Sequence, residues 1–351
     1  MKKKLLQIGV VVIVGMMITG VVAYQKKRTP ERYSITYTDV FDTVTQITGY
    51  GENKEEFQVE IEYLHEMLKH YHELFDIYNS YDGINNLKTI NDMAGKAPVE
   101  VDEEIIELLN YGKEVYDLTK GKNNIAMGSV LRIWHTYRKN GIDMPQKAAL
   151  PDMESLKAAE KYTDWNKVVI DEEKKTVYLD DENMSLDVGS IGKGYAVEKT
   201  KEYAKAKGIK SLLISVGGNV AVIGDKIDHE EWKVGIQRPE AEKHDEVLCY
   251  VKAKDVCVVT SGDYQRFYTV GGKNYCHIID PATLMPSNYF RSVTIIAKDS
   301  AYADALSTGI FSLSFNEGKE LVEGLKDVEA MWVLQDGRQK FSSGFQNYLG
   351  K

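Results

Sequence analysis

Apolar residues recur at spacings of three and four from Phe57 through Ile61, Leu64, Leu68, Tyr71 and Phe75, with glutamate and lysine on the other side. That period predicts an amphipathic helix over Glu55 to Tyr78. Tyr63, His65, His70 and His72 share this stretch and read as helix-face residues, not ligands. A second helix is expected over Asp102 to Thr119, where Ile105, Ile106, Leu109 and Tyr116 form one face and Gly121 ends it. Asn79 to Asn91, between the two, is rich in turn formers. Ahead of the first helix, Tyr33 to Tyr50 alternates β-branched and aromatic residues around Phe41-Asp42-Thr43 and reads as extended chain. Later strands are expected at Lys167 to Ile170, Thr176 to Leu179, Ser211 to Val216, Trp232 to Ile236, Cys257 to Thr260 and Ser292 to Ile296. Helices are expected at Gly192 to Lys207, Asp299 to Phe311 and Phe315 to Leu325, so the pattern is α+β without internal repeats.

The first 32 residues stand apart from this pattern. Lys2, Lys3 and Lys4 precede Leu5 to Tyr24, whose polar interruptions are Gln7, Thr19 and Tyr24. Such a stretch is long enough to span a bilayer. It also fits a signal peptide, with Val21 and Ala23 placed for cleavage. Lys26, Lys27 and Arg28 follow it, so charge asymmetry does not fix orientation. The expectation is a leader or membrane anchor and linker over residues 1–32, with the domain of residues 33–351 extracytoplasmic, or secreted if the leader is cleaved; a cytoplasmic body stays open. No cysteine lies nearby to carry a lipid.

At 43% hydrophobic residues, the chain has enough apolar material for a large core. Acidic residues outnumber basic ones, 53 to 44, for a net charge of −9, which argues against a nucleic-acid partner. The three cysteines, Cys249, Cys257 and Cys276, lack zinc spacing and read as small buried residues.

Chemistry concentrates in short blocks. In Ala303-Asp-Ala-Leu-Ser-Thr-Gly309, Asp304 and Thr308 lie four apart on a helix and present a carboxylate and a hydroxyl to one point. Both are hard oxygen ligands of the kind magnesium takes beside substrate phosphates. The same pair also suits a helix-dipole charge followed by a packed threonine. Gly189, Gly192 and Gly194 are expected in a strand-to-helix connection that lets backbone N–H groups approach an anion, although an ordinary turn explains them as well. Gly217-Gly218-Asn219 reads as a tight turn. Thr260-Ser-Gly-Asp-Tyr264 lacks the elbow of a serine hydrolase. His277, ahead of Ile-Ile-Asp280-Pro281, is either structural or suited to accept a hydroxyl proton.

In this order, Phe41-Asp-Thr-Val-Thr45, Leu186-Asp-Val-Gly-Ser-Ile-Gly-Lys-Gly-Tyr-Ala196, Ser215-Val-Gly-Gly-Asn219, Thr260-Ser-Gly-Asp-Tyr264, His277-Ile-Ile-Asp-Pro281 and Ala303-Asp-Ala-Leu-Ser-Thr308 resemble the ApbE-type FAD:protein FMN transferases. The resemblance runs from about Tyr37 to the C-terminus and implies a T-fold-like architecture. It further implies a substrate, FAD, whose FMN half passes with Mg²⁺ to a Thr or Ser hydroxyl of a client flavoprotein, releasing AMP. Asp304, Thr308 and the Ser190 carbonyl would then hold the metal. Asp187 and Lys193 would contact FAD, Phe41, Tyr78 and Ile279 would fall at the flavin, and His277 would be the base. Two departures stand out: Asn123-Asn124, after Lys122, replaces a common Phe-Asp pair among the expected FAD contacts, and Leu284 replaces a common Gly. The usual acceptor run is absent, so the chain reads as transferase and not client. A metal-dependent FAD pyrophosphatase and a non-catalytic flavin carrier are the competing readings.

Overall fold

The computed structural model describes residues 30–239 and 246–350. The leader expected at the N-terminus lies outside them, up to residue 29. Among the described residues, no helix is long and apolar enough to cross a membrane.

An eight-stranded sheet forms the centre: β1 (Glu31–Tyr37), β2 (Thr45–Gly51), β3 (Leu212–Val216), β4 (Asn219–Ile223), β5 (Cys257–Gly262), β6 (Phe290–Ala297), β7 (Glu329–Leu334) and β8 (Gln339–Phe341). Strand order across the sheet is strand order along the chain, and every pairing is antiparallel. The remaining elements are inserted between neighbours. Between β2 and β3 run α1 (Lys54–Phe75), α2 (Leu87–Asp92), α3 (Glu103–Leu118), α4 (Gly128–Asp143), α5 (Met153–Glu160) and α6 (Gly192–Ala206). Between β6 and β7 run α7 (Ser300–Phe311) and α8 (Phe315–Glu323).

Successive strand residues point to opposite faces, so each central strand feeds two cores. On β6, Val293, Ile295 and Ala297 join Leu306, Ile310 and Phe311 of α7. Ile296 joins the opposite core, beneath the ribbon Trp232–Gln237 and Val247–Ala253. β7 repeats the pattern, with Ala330 and Trp332 on the helix side and Met331 and Val333 on the ribbon side. The predicted apolar face of α1 is the buried one, through Phe57, Ile61, Leu64, Leu68 and Tyr71. Each such aliphatic side chain, fully buried, contributes about 1.5–3 kcal/mol.

Several expectations change. Helix α1 ends at Phe75, not Tyr78, because the Asp76 carboxylate accepts the N–H groups of Tyr78 and Asn79 and turns the chain. The Tyr33 to Tyr50 segment is a hairpin, not one extended run, with Phe41 and Asp42 left-handed at φ 55° and 49°. Helices α2, α4 and α5 arise where none was expected. The cysteines are all free, with Cys257 and Cys276 buried.

Candidate active site

The inserted helices and the turns at one end of the sheet enclose a cleft of about 350 Å³. All the residues expected at a site line it: Phe41, Tyr78, Lys122, Asn123, Asn124, Asp187, Ser190, Lys193, His277, Ile279, Asp304 and Thr308. They come from six separated stretches of chain.

At one end stands Asp304, 3% exposed on the first turns of α7. Asp299 caps that helix by accepting the Tyr302 N–H at 2.9 Å. Oδ2 of Asp304 accepts the Gly194 N–H at 2.8 Å and lies 3.7 Å from Lys193 Nζ. Burial pushes its carboxyl up, opposed by Lys193, the Gly194 N–H and the Asn219 amide. Asn219 itself is buried, and its Oδ1 has no partner. Thr308 follows one turn later, its hydroxyl 3.3 Å from Ser261 Oγ, which also bonds Ser307 at 2.7 Å.

Asn123 ties this end together. Its side chain accepts from Ser190 Oγ at 2.7 Å and donates to the Ala305 carbonyl at 3.0 Å. Asn124 turns elsewhere, capping the Ile125–Met127 turn through Ala126 N–H and donating to the Thr163 carbonyl. Lys122 pairs with buried Asp280 at 2.7 Å.

The glycine segment does not form the open cradle expected of it. The Gly189 N–H donates to Asp187 Oδ1, the Gly192 N–H to the Val188 carbonyl and the Gly194 N–H to Asp304. The chain ahead of α6 is also not a strand. It is a loop pinned by Asn91, whose amide exchanges two hydrogen bonds with the Leu186 backbone. Gly194 instead permits close packing of α6 on α7.

The opposite wall carries His277. Its Nδ1 lies 3.2 Å from the Arg266 carbonyl. A carbonyl only accepts, so the ring proton sits on Nδ1 and Nε2 keeps its lone pair. Desolvation, then the charges of Arg138, Arg266 and Lys193, push its pKa down to about 3. The imidazole is therefore neutral at pH 7. Arg266 also braces the left-handed turn, donating through Nη2 to the carbonyls of Phe41 and Asp42 at 3.4 and 3.2 Å. The Phe41 N–H donates to His72 Nδ1 at 3.2 Å. Near the mouth, the Tyr78 hydroxyl bonds His135 Nδ1 at 2.9 Å, and His135 Nε2 lies 3.7 Å from Asp187.

A model of the ApbE family matches residues 41–332, most of the chain. The chain belongs to the ApbE family. The FAD:protein FMN transferase of Treponema pallidum is 34% identical over 272 residues, covering 74% of this chain and 73% of that one. The FAD:protein FMN transferase of Klebsiella pneumoniae is 28% identical over 272 residues, covering 77% and 81%. The crystal structure of the ApbE protein of Thermotoga maritima aligns over 92% of this chain and 100% of its own, at 28% identity and a TM-score of 0.79.

Within this ApbE domain, His135, Arg138, Asn219 and Arg266 are cleft residues beyond those expected from the sequence. His135 and Arg138 belong to α4, which opens without a side-chain cap to mark it as a helix. Asn219 stood in a motif valued only for its glycines. At Leu284 the backbone is left-handed, at φ 61°.

Proposed function

We propose that this ApbE-family protein is an FAD:protein FMN transferase, passing the FMN half of FAD to a Thr or Ser hydroxyl of a client flavoprotein and releasing AMP. One observation carries the reading: a buried carboxylate, Asp304, and the half-buried Thr308 hydroxyl share a cleft with His277, whose Nδ1 faces a carbonyl and leaves the Nε2 lone pair to accept a proton. The name borne by the Treponema and Klebsiella relatives supports it.

Asp304, Thr308 and the Ser190 carbonyl are the groups that would hold Mg²⁺. The donor set fits: every atom is a hard oxygen, and Asn219, whose amide donates to Asp304, keeps a buried Oδ1 with no partner. Once bound, the ion supplies charge neutralisation at the pyrophosphate. His277 Nε2 takes the proton of the client hydroxyl while the Arg266 carbonyl holds Nδ1–H. The hydroxyl oxygen bonds to the FMN phosphorus as the anhydride P–O bond breaks, and that electron pair departs on AMP. Ser261 Oγ is engaged by Ser307 and Thr308, which suits direct transfer without a covalent enzyme intermediate. Phe41, Tyr78 and Ile279 would face the flavin; Lys122, Asn123, Asp187 and Lys193 would meet the rest of FAD, with Asn124 contributing through its backbone. The apolar leader would anchor the catalytic domain on the outer side of the cell membrane, or release it if cleaved.

The test incubates the protein with FAD, Mg²⁺ and candidate FMN-binding domains, followed by a denaturing gel viewed under ultraviolet light. A fluorescent client band is expected. Free FMN with no labelled client identifies a pyrophosphatase, and intact FAD identifies a carrier.

A further inference from the structure

Four cationic side chains line the cleft, Lys122, Arg138, Lys193 and Arg266, and three of them are held by acceptors of the fold. Lys122 pairs with Asp280, Lys193 bonds the Gly189 carbonyl beside Asp304, and Arg266 is engaged by the carbonyls of Phe41 and Asp42. Arg138 differs. Half-buried on α4, it lines the cleft, and among the described residues its guanidinium donates to no acceptor.

Three cleft carboxylates accept hydrogen bonds from other groups. Asp76 accepts from Tyr78 and Asn79, Asp187 from Gly189, and Asp304 from Gly194. Burial, then the neighbouring Arg266, disfavour the Arg138 charge, while Tyr78 and Asp187 favour it without a hydrogen bond to it. A fold that places two guanidinium groups on one cleft, one of them with no hydrogen-bond acceptor among the described residues, is suited to an anion from outside.

Position decides which part of the anion it meets. The Arg266 carbonyl holds His277 Nδ1 at 3.2 Å and the Arg266 charge acts on Arg138, whereas Lys193 is the cation beside Asp304. The guanidinium pair therefore stands on the side where the acceptor hydroxyl loses its proton.

The geometry points to Arg138 as a further catalytic residue, whose guanidinium binds the non-bridging oxygens of the phosphoryl group as it passes from the anhydride to the acceptor. This assignment rests on the transferase reading. The acceptor oxygen–phosphorus bond forms, the anhydride phosphorus–oxygen bond breaks, the proton goes to His277 Nε2 and the electron pair leaves on AMP. Charge spreads over the equatorial oxygens during that exchange, where a planar fork of N–H donors acts better than a point charge. Arg266, fixed by two carbonyls, braces the turn beside it and holds a second positive charge nearby.

The experiment compares full-length Arg138→Ala and Arg138→Lys with the unaltered protein. Flavin fluorescence reads FAD affinity without Mg²⁺, and in-gel fluorescence reads the transfer rate onto the acceptor domain that the unaltered protein labels. Arg138→Ala is expected to lower kcat roughly 100- to 1,000-fold. FAD affinity should change less than about 5-fold, and added guanidinium ion should restore about 10-fold of the lost rate in this variant alone. Arg138→Lys keeps the charge without the fork, so it should fold and still lose about 10-fold in kcat, which decides the matter if the alanine variant does not fold. Unchanged kcat, or a loss confined to FAD affinity, overturns the assignment. If the unaltered protein labels no acceptor, the transferase reading falls and this inference with it; labelling by both proteins at equal rates removes this inference alone.

Discussion

Gly194 and Asp304 meet without room for a methyl group between them. The Gly194 N–H reaches Asp304 Oδ2 at 2.8 Å, and a Cβ at residue 194 would lie 2.4 Å from Asp304 Cβ and 2.5 Å from the Ser300 carbonyl. One of those obstacles is backbone, so a side-chain rotation cannot relieve it. Gly194→Ala should push α6 off α7, lower stability by about 1–3 kcal/mol in urea denaturation, and reduce flavin transfer more than 10-fold. Unchanged melting and activity would show that the helices separate at little cost.

Charge and packing at Asp304 are separable by a different substitution. Asp304→Asn keeps an oxygen for the Gly194 N–H but removes the anion that faces Lys193. The variant should remain folded, with a melting temperature within a few degrees of the parent. Calorimetry with FAD present should find no Mg²⁺ binding, and transfer should match that of the parent protein treated with EDTA. Full Mg²⁺-dependent transfer by the folded variant would remove Asp304 from the metal site.

Local relationships were readable from sequence, and long-range ones were not. Asp304 and Thr308 are neighbours on α7 because helical geometry alone relates positions four apart. The apolar seam of α1 was visible for the same reason. By contrast, the partner of the Gly194 N–H lies 110 residues away, so nothing in the glycine-rich block discloses that its N–H groups are already engaged. The β1–β2 hairpin was hidden because its left-handed turn uses Phe41 and Asp42, where turn chemistry favours Gly or Asn. Those residues hold that conformation through Arg266 and His72, which belong to other parts of the chain. Helix α4 opens on Gly128 without a side-chain cap and buries Val130 and Trp134 among β-branched neighbours, so its period was not apparent and Arg138 went with it.

Leu284 sets two effects against each other. Its φ of 61° is unfavourable for a residue with a Cβ, by about 1–2 kcal/mol. Its side chain is 4% exposed and packs with Trp134, Tyr268 and Ile279. Its carbonyl accepts the Trp134 indole N–H at 2.9 Å, a bond that any residue there retains. Deleting a buried leucine side chain costs about 2–5 kcal/mol, more than relief of the backbone returns. Leu284→Gly should therefore destabilise the protein by about 1–3 kcal/mol in urea denaturation, even though glycine suits the turn. A gain in stability would mean that strain outweighs packing at this position.

Low pH should act on this protein through His277. Its pKa in the fold is pushed down to about 3, against about 6.5 for an unperturbed imidazole. The unfolded chain then binds a proton that the folded chain refuses, so the contribution to stability is intact above pH 6.5 and is lost progressively as pH falls toward 3. Burial lowers the pKa of His135 as well, which adds loss of the same sign. His277→Asn removes one of these two groups, so its melting temperature should fall less between pH 7 and pH 5 than that of the parent. Activity supplies an independent reading. Because the base is already unprotonated, the kcat/KM of the parent should show no acid limb centred near pH 6.5, while His277→Asn should lower kcat by about 100-fold or more at every pH. An acid limb at pH 6.5 that vanishes in His277→Asn would show that the imidazole titrates normally and that neither Arg138 nor Arg266 governs its charge.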